Sequence, residues 1–379
     1  MRRIFLRHSL QVSVAGIVAG SLLLAMGCSS LRILPGPNSV IDDPQYNPEG
    51  YLETIKSDRV IVGVLPRAAG RIVLCRLHEG QNVLLADPVQ WAEPETETPV
   101  PDALALADKE YQGHVVWLGP QSRWWTEQDL NPEKKEEAAI WPADPWLLYG
   151  RYEVVEKTKD RIVLRGSDSP VSGVRLTKSV CILPDHRIEV SVTAENIRPV
   201  PVRWDLWSNT RLAGTCQGYA TYCDKAWDAL HLEYTGQPEA IRMMPYYAAN
   251  DVFSFASDTV RRDRQFGYNA KAFLKPEGER LVLAGFTPDT LFLKEAVALA
   301  EPVSPGHTAI EIFQRLPVEK KPGSGLLELE FHGPCRTLQP GESMTFTETW
   351  TLLPWEDGTD PAQQVKALRE LRPADFDPR

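Results

Sequence analysis

Apolar and polar residues alternate along much of this chain, most regularly from Arg187 to Glu195. Ile188, Val190, Val192 and Ala194 take one side, and Arg187, Glu189, Ser191, Thr193 and Glu195 take the other, as in a strand with one face on a core. Leu183-Pro184-Asp185-His186-Arg187 supplies a reversal before it, because proline presets φ and aspartate bonds the backbone beyond itself. Val202, Trp204 and Leu206 then open a further strand, whose opposite face carries Arg203, Asp205, Trp207, Asn209 and Arg211. A planar indole among carboxylate, amide and guanidinium groups suits a polyhydroxylated ligand, since paired hydroxyls match bidentate partners and the C–H face of a sugar matches an aromatic ring. Such a row is expected to look into an open trough. The plain alternative is a polar sheet face turned to water.

The same patterning predicts strands at Val60–Leu65 and Arg71–Leu77, separated by a turn at Pro66–Gly70, and others near 229–234, 251–257, 280–286, 308–316 and 326–331. Pro340-Gly341 reads as a turn. The strand after it places Met344, Phe346, Glu348 and Trp350 on one face, where a buried Glu348 needs a partner. Asp360-Pro361 reads as an N-cap and first helical residue, with Ala362, Val365, Leu368 and Leu371 on one helical face. Between Trp117 and Tyr152 lie five of the eleven tryptophans, interleaved with prolines and an EKKEE run, which predicts a long loop with one helical turn. Trp124, beside Arg123, is a candidate ligand wall there; the alternative is that these indoles plug one end of a sandwich. Strands outnumber helices and no βα alternation appears. The expected fold is therefore all-β, a large antiparallel β-sandwich (supersandwich) with long loops and a short C-terminal helix.

The amino end changes the picture. Arg2, Arg3 and Arg7 precede an apolar run from Val12 to Leu24, and Leu24-Ala25-Met26-Gly27-Cys28 resembles a bacterial lipoprotein cleavage box. The resemblance implies a signal peptide over 1–27, a lipidated Cys28, and an anchor in the cell envelope, at the outer membrane facing the periplasm or the surface. The apolar run is too short for a permanent span. Residues 28–57, crowded with proline, glycine and asparagine, read as a flexible tether. The domain follows over 58–355 and a helix or tail over 356–379. Cleavage removes three arginines and no acid, moving the net charge from −10 to −13, which disfavours nucleic acid and anionic lipid as partners. A saccharide or glycan is unaffected by that charge, and no cofactor motif appears. In an oxidising compartment Cys216 and Cys223 are close enough in sequence to form a disulfide. No CxxC pair or HExxH run suggests a metal.

Several short motifs occur in a telling order: Pro66 to Gly70-Arg71-Ile72-Val73, a Gly80-Gln81-Asn82 turn, GHVVWLGPQSRW over 113–124, Trp141-Pro142, Asn196 with Pro201-Val202, Trp207-Ser208-Asn209, and the stretch from Glu328 to Leu352. Over about 58–355 this order resembles the galactose-mutarotase-like (aldose epimerase-like) superfamily, in particular its uncharacterised bacterial lipoprotein members. The resemblance implies a carbohydrate site, and places Lys271 where superfamily members often face the cleft with a basic residue. It also implies that an epimerase would use a histidine on a central strand and a late glutamate to move protons on and off a pyranose. His114 is the histidine embedded in an apolar strand, and Glu311, Glu328 and Glu330 are the late glutamates, of which Glu330 is favoured. The enzymes' Asn-x-Thr-x-His-x-Tyr-Phe-Asn pattern would fall near Asn196 to Asn209, where this chain has no histidine. Three functions follow: non-catalytic carbohydrate binding by an envelope lipoprotein, a sugar epimerase using His114 and Glu330, or a structural envelope protein without a small ligand.

Overall fold

A computed structural model describes residues 51–92, 95–107, 109–226, 228–235, 246–249, 251–255, 269–316 and 325–371. The leader, Cys28 and the tether up to residue 50 lie outside the described residues. Two antiparallel sheets form the body. The first runs β1 (Glu53–Lys56), β2 (Val60–Leu65), β3 (Arg71–Leu77), β4 (His114–Gly119), β9 (Val202–Ala213), β18 (Leu326–His332), β17 (Ile310–Arg315), β14 (Asn269–Leu274) and β11 (Leu230–Thr235), with β19 (Arg336–Leu338) paired to the start of β9. The second runs β12 (Tyr246–Ala249), β13 (Val252–Phe255), β10 (Gln217–Thr221), β15 (Arg280–Phe286), β16 (Thr290–Val297), β20 (Ser343–Pro354), β8 (Ile188–Asn196), β7 (Val174–Ile182), β6 (Arg161–Gly166) and β5 (Tyr152–Lys157).

Period-two patterning accounts for the layering. In β7 and β8 every second residue is buried and the rest are half-exposed, so the second sheet shows one face to its partner and one to water. β20 alternates likewise through Met344, Phe346, Glu348 and Trp350. Its glutamate meets the expected partners. Glu348 accepts bonds from Ser208 Oγ (2.6 Å) and Trp350 Nε1 (2.8 Å), and Lys294 Nζ lies 3.3 Å away between the sheets. Ser208 therefore points into the sandwich with Trp204, whose indole donates to Ser172 O. By alternation, Asp205, Trp207, Asn209 and Arg211 lie on the opposite, outer face of the first sheet.

The long connection between β4 and β5 carries two single-turn helices, α2 (Pro132–Glu136) and α3 (Pro145–Tyr149), after α1 (Pro88–Ala92) in the preceding loop. Each of the two begins at a proline behind an Asn131 or Asp144 cap that accepts a backbone N–H. The closing helix α4 (Pro361–Glu370) is capped by Asp360 as its sequence predicts, and Val365 and Leu368 pack on the second sheet's outer face with Trp355.

Cys216 and Cys223 are free thiols. They lie before and after β10, an extended five-residue strand about 16 Å long, whereas a disulfide needs α-carbons within about 7 Å. Closeness in sequence misleads here because the chain between them is stretched rather than turned.

Candidate functional site

Strand register assembles the outer face of the first sheet from five strands. Trp117 and His332 flank Trp207 from β4 and β18, Glu330 lies opposite Asn209, and Glu328 opposite Arg211. On β17, Glu311 sits opposite Glu330, and Lys271 on β14 reaches diagonally between them. Its ammonium lies 2.7 Å from Glu311 Oε2, 2.7 Å from Glu330 Oε2, and 4.7 Å from the centre of the Trp207 ring. Two carboxylates directly opposite one another repel, and Lys271 is the group that lets this pair share the face.

The electrostatics follow from burial and these partners. Burial raises the Glu330 carboxyl to about 7, with Lys271 opposing and Glu328 and Glu311 adding to the rise. Glu311 is equally buried, but Lys271, His332 and His307 outweigh burial and hold it well below the usual carboxylate range. His332 is pulled down by burial and more strongly up by Glu311 and Asp205, ending at about 9. Asp205 is held below its ordinary value, because contact with His332, Ser304 and His307 overcomes burial. Its oxygens accept from the backbone N–H of Gly119 (3.1 Å) and Ser304 (3.1 Å), and Oδ1 lies 3.2 Å from His332 Nδ1. Glycine is required at 119, since a Cβ there would collide with both Asp205 oxygens.

A second cluster is aromatic. Trp207 stacks between Trp124 (5.9 Å) and His332 (5.0 Å) and meets Trp117 edge-on at 5.1 Å, while Trp141 packs on Trp117 and Trp124 with 48% of its own surface exposed. Among the described residues, buried polar atoms on this face without a hydrogen-bond partner include the indole nitrogens of Trp117 and Trp207, the amide oxygens of Asn209 and Asn269, and His332 Nε2. At the lower end of the face His307 Nδ1 lies 3.0 Å from Glu311 Oε1, and His332 Nε2 lies 3.4 Å from Glu311 Oε2.

A protein family described as "Domain of unknown function (DUF4380)" matches residues 53–353. The chain belongs to the DUF4380 family. Similar solved structures include a galactose mutarotase-like protein from Lactobacillus casei (10% identity, 80% of this chain and 100% of that one, TM-score 0.49). A galactose mutarotase related enzyme from Lactobacillus acidophilus (11%, 82% and 99%, TM-score 0.47) and an aldose epimerase homologue from C. elegans (12%, 80% and 98%, TM-score 0.44) are also similar. No curated protein matches the sequence.

The DUF4380 face gathers Asp205, Trp207, Asn209 and Arg211, as their alternation along one strand predicts, with Lys271 and Glu330 from neighbouring strands. It is not the open trough expected of them. Trp207 is 3% exposed, with Trp124 of the loop after β4 laid across it, and Asp205 and Asn209 are fully buried among their own partners. Trp124 is itself buried, with its indole donating to Leu118 O (2.6 Å), so it is a lid over Trp207 rather than a ligand wall. Arg123 and Arg203 stand apart, near the start of β9. Arg203 is exposed with Nε on Cys335 Sγ, while Arg123 pairs with Glu127 and lies over Trp204. Arg211 is committed to Glu328 (2.8 Å) and Gln112 (3.0 Å), 5.4 Å from the Trp117 ring.

The suggested pair of His114 and Glu330 is separated by the sheet itself. His114 lies opposite Thr210 and points between the sheets, bonded to Thr210 Oγ1 (2.9 Å) and edge-on to Trp350, while Glu330 points outward. Burial, then Lys294, Lys178 and Arg71, holds the His114 imidazole neutral. His307, Glu311 and His332 form the grouping that sequence reasoning left unassembled. Its legible signal was parity on β18: Glu330 and His332 are alternate residues and share a face.

Proposed function

We propose that this DUF4380 protein binds a saccharide at the outer face of its first sheet without altering it covalently, on a chain anchored to the cell envelope through a lipid at Cys28. One observation carries the ligand class: two indole N–H donors and two amide acceptors that no described residue satisfies, set beside stacked aromatic rings and a shared ammonium. Buried polar groups are almost always bonded, and neutral hydroxyls, which both donate and accept, are the complement to such a set. The accessible border of that face carries the exposed indole of Trp141 and the half-buried Lys271, Asn269 and Phe313. Glycan-array binding by the purified chain tests this, with Trp141→Ala weakening the captured glycan about tenfold or more while leaving the circular dichroism spectrum unchanged. Equal binding by the variant removes the site. For the anchor, tritiated palmitate should label the wild-type chain and not Cys28→Ser; equal labelling of both would reject it.

A specific observation favours a second reading, an aldose epimerase. Glu330, whose carboxyl burial raises to about 7, shares its face with His332, so one group able to exchange a proton near neutrality lies beside a second titratable one. Polarimetry of freshly dissolved glucose and galactose discriminates the two, and a rate no higher than that of buffer removes mutarotation of those sugars.

A further inference from the structure

We propose that His307, Glu311 and His332 bind one divalent transition-metal ion. One ligand atom from each lies within 4.8 Å of the others. Donors about 2.1 Å from a common ion at the tetrahedral angle stand about 3.4 Å apart, so the widest pair needs to close by up to about 1.4 Å. Two of them are preset on neighbouring strands, Glu311 on β17 and His332 on β18, and the third sits on the loop before β17, where such a movement is easy.

A second feature points to an ion. His332 Nε2 is buried and makes no hydrogen bond to a described residue, with Glu311 Oε2 3.4 Å away, while Nδ1 on the far side of the ring rests against Asp205. A carboxylate behind an imidazole fixes the tautomer that presents the opposite nitrogen as a lone pair, the arrangement found behind metal-bound histidines. Asp205 is in turn fixed by two backbone N–H groups, from Gly119 and Ser304. Lys271 contacts Glu311 and Glu330, and the His332 ring lies between the Asp205 and Glu311 carboxylates. A divalent ion would take the place of the proton on the His332 nitrogen that faces Glu311, so both carboxylates keep a cationic partner. Lys271 also contacts Glu330, so Glu311 can turn toward the ion without leaving the ammonium bare. Two imidazoles and a carboxylate suit zinc, iron, cobalt or nickel rather than calcium or magnesium, and three protein ligands leave coordination positions open. A cavity of about 440 Å³ lined by Ser304, His307, Thr308, His332 and Phe346 reaches the site from solvent.

The inference stands apart from the saccharide reading, but metal on His332 would take that imidazole out of any proton transfer. The test strips the purified full chain with a chelator and titrates it with Zn²⁺ by calorimetry and with Co²⁺ by visible absorption. The wild type should take up one equivalent of each, with a cobalt ligand-field band and a raised thermal midpoint. His332→Ala and Glu311→Gln should weaken binding about 100-fold or more, and Asp205→Asn by about 10- to 100-fold. Because those side chains are buried, His307→Ala on the loop is the decisive variant, and with an unchanged circular dichroism spectrum it should lose at least about tenfold. Failure of the wild type to bind either ion stoichiometrically, or equal affinity in His307→Ala, overturns the site.

Discussion

Replacing Glu330 by glutamine should abolish a pH dependence of stability that the wild-type protein carries between about pH 4.5 and pH 8. Glu330 is fully buried, and burial with help from Glu328 and Glu311 raises its carboxyl from 4.5 to about 7 against the pull of Lys271. A carboxyl whose folded-state pKa stands above its unfolded value keeps its proton in the fold after the unfolded chain has released it. Its contribution is full below about 4.5, falls as pH rises toward 7, and stays low above that. A shift of about 2.5 units is worth about 3 kcal/mol at roughly 1.4 kcal/mol per unit. Glutamine keeps the volume and an oxygen for Asn209 Nδ2, which donates to Glu330 Oε1 at 2.9 Å, and it never ionises. Urea unfolding of both proteins in chelator, at about pH 4.5 and about pH 8, isolates the effect as a change in their difference. Relative to wild type, Glu330→Gln should gain about 3 kcal/mol on going to the higher pH. A difference constant within about 0.5 kcal/mol would show that Glu330 ionises as readily in the fold as in the unfolded chain, and would refute the burial argument.

Two further predictions concern the same scaffold. Burial lowers the Lys178 ammonium to about 7, with Arg71 adding to the effect, so the unfolded chain holds a proton that the fold lacks, and the stability of wild type relative to Lys178→Met should rise by about 2 kcal/mol between pH 7 and pH 9. Urea unfolding reads that difference, and an identical slope in both proteins would sink the assignment. Gly119→Ala should cost about 1–3 kcal/mol in urea unfolding, because its methyl group would meet the Asp205 carboxylate; an unchanged midpoint would mean that Asp205 is not fixed where it is described.

The strand periods, the turn at Leu183–Arg187, the capped closing helix and the parity of the row from Asp205 to Arg211 were all legible in the sequence, because each depends on neighbours within a few residues. Parity could say that Trp207 and Trp204 face opposite ways. It could not say that Trp124, some eighty positions earlier, folds over Trp207 and closes the trough, since a loop's landing place is set by packing across the whole sheet. The same limit explains His114: its apolar strand was readable, but which face of that strand looks into the sandwich depends on its register with β9. Beyond the parity that Glu330 and His332 share on β18, the grouping of His307, Glu311 and His332 was not legible, because its members come from a loop and two strands whose adjacency exists only once the sheet has formed. Local chemistry determined the elements and their two-sidedness. Tertiary structure decided which side is covered and which charges must share it, because burial and Coulomb interactions depend on distance in space rather than on separation along the chain.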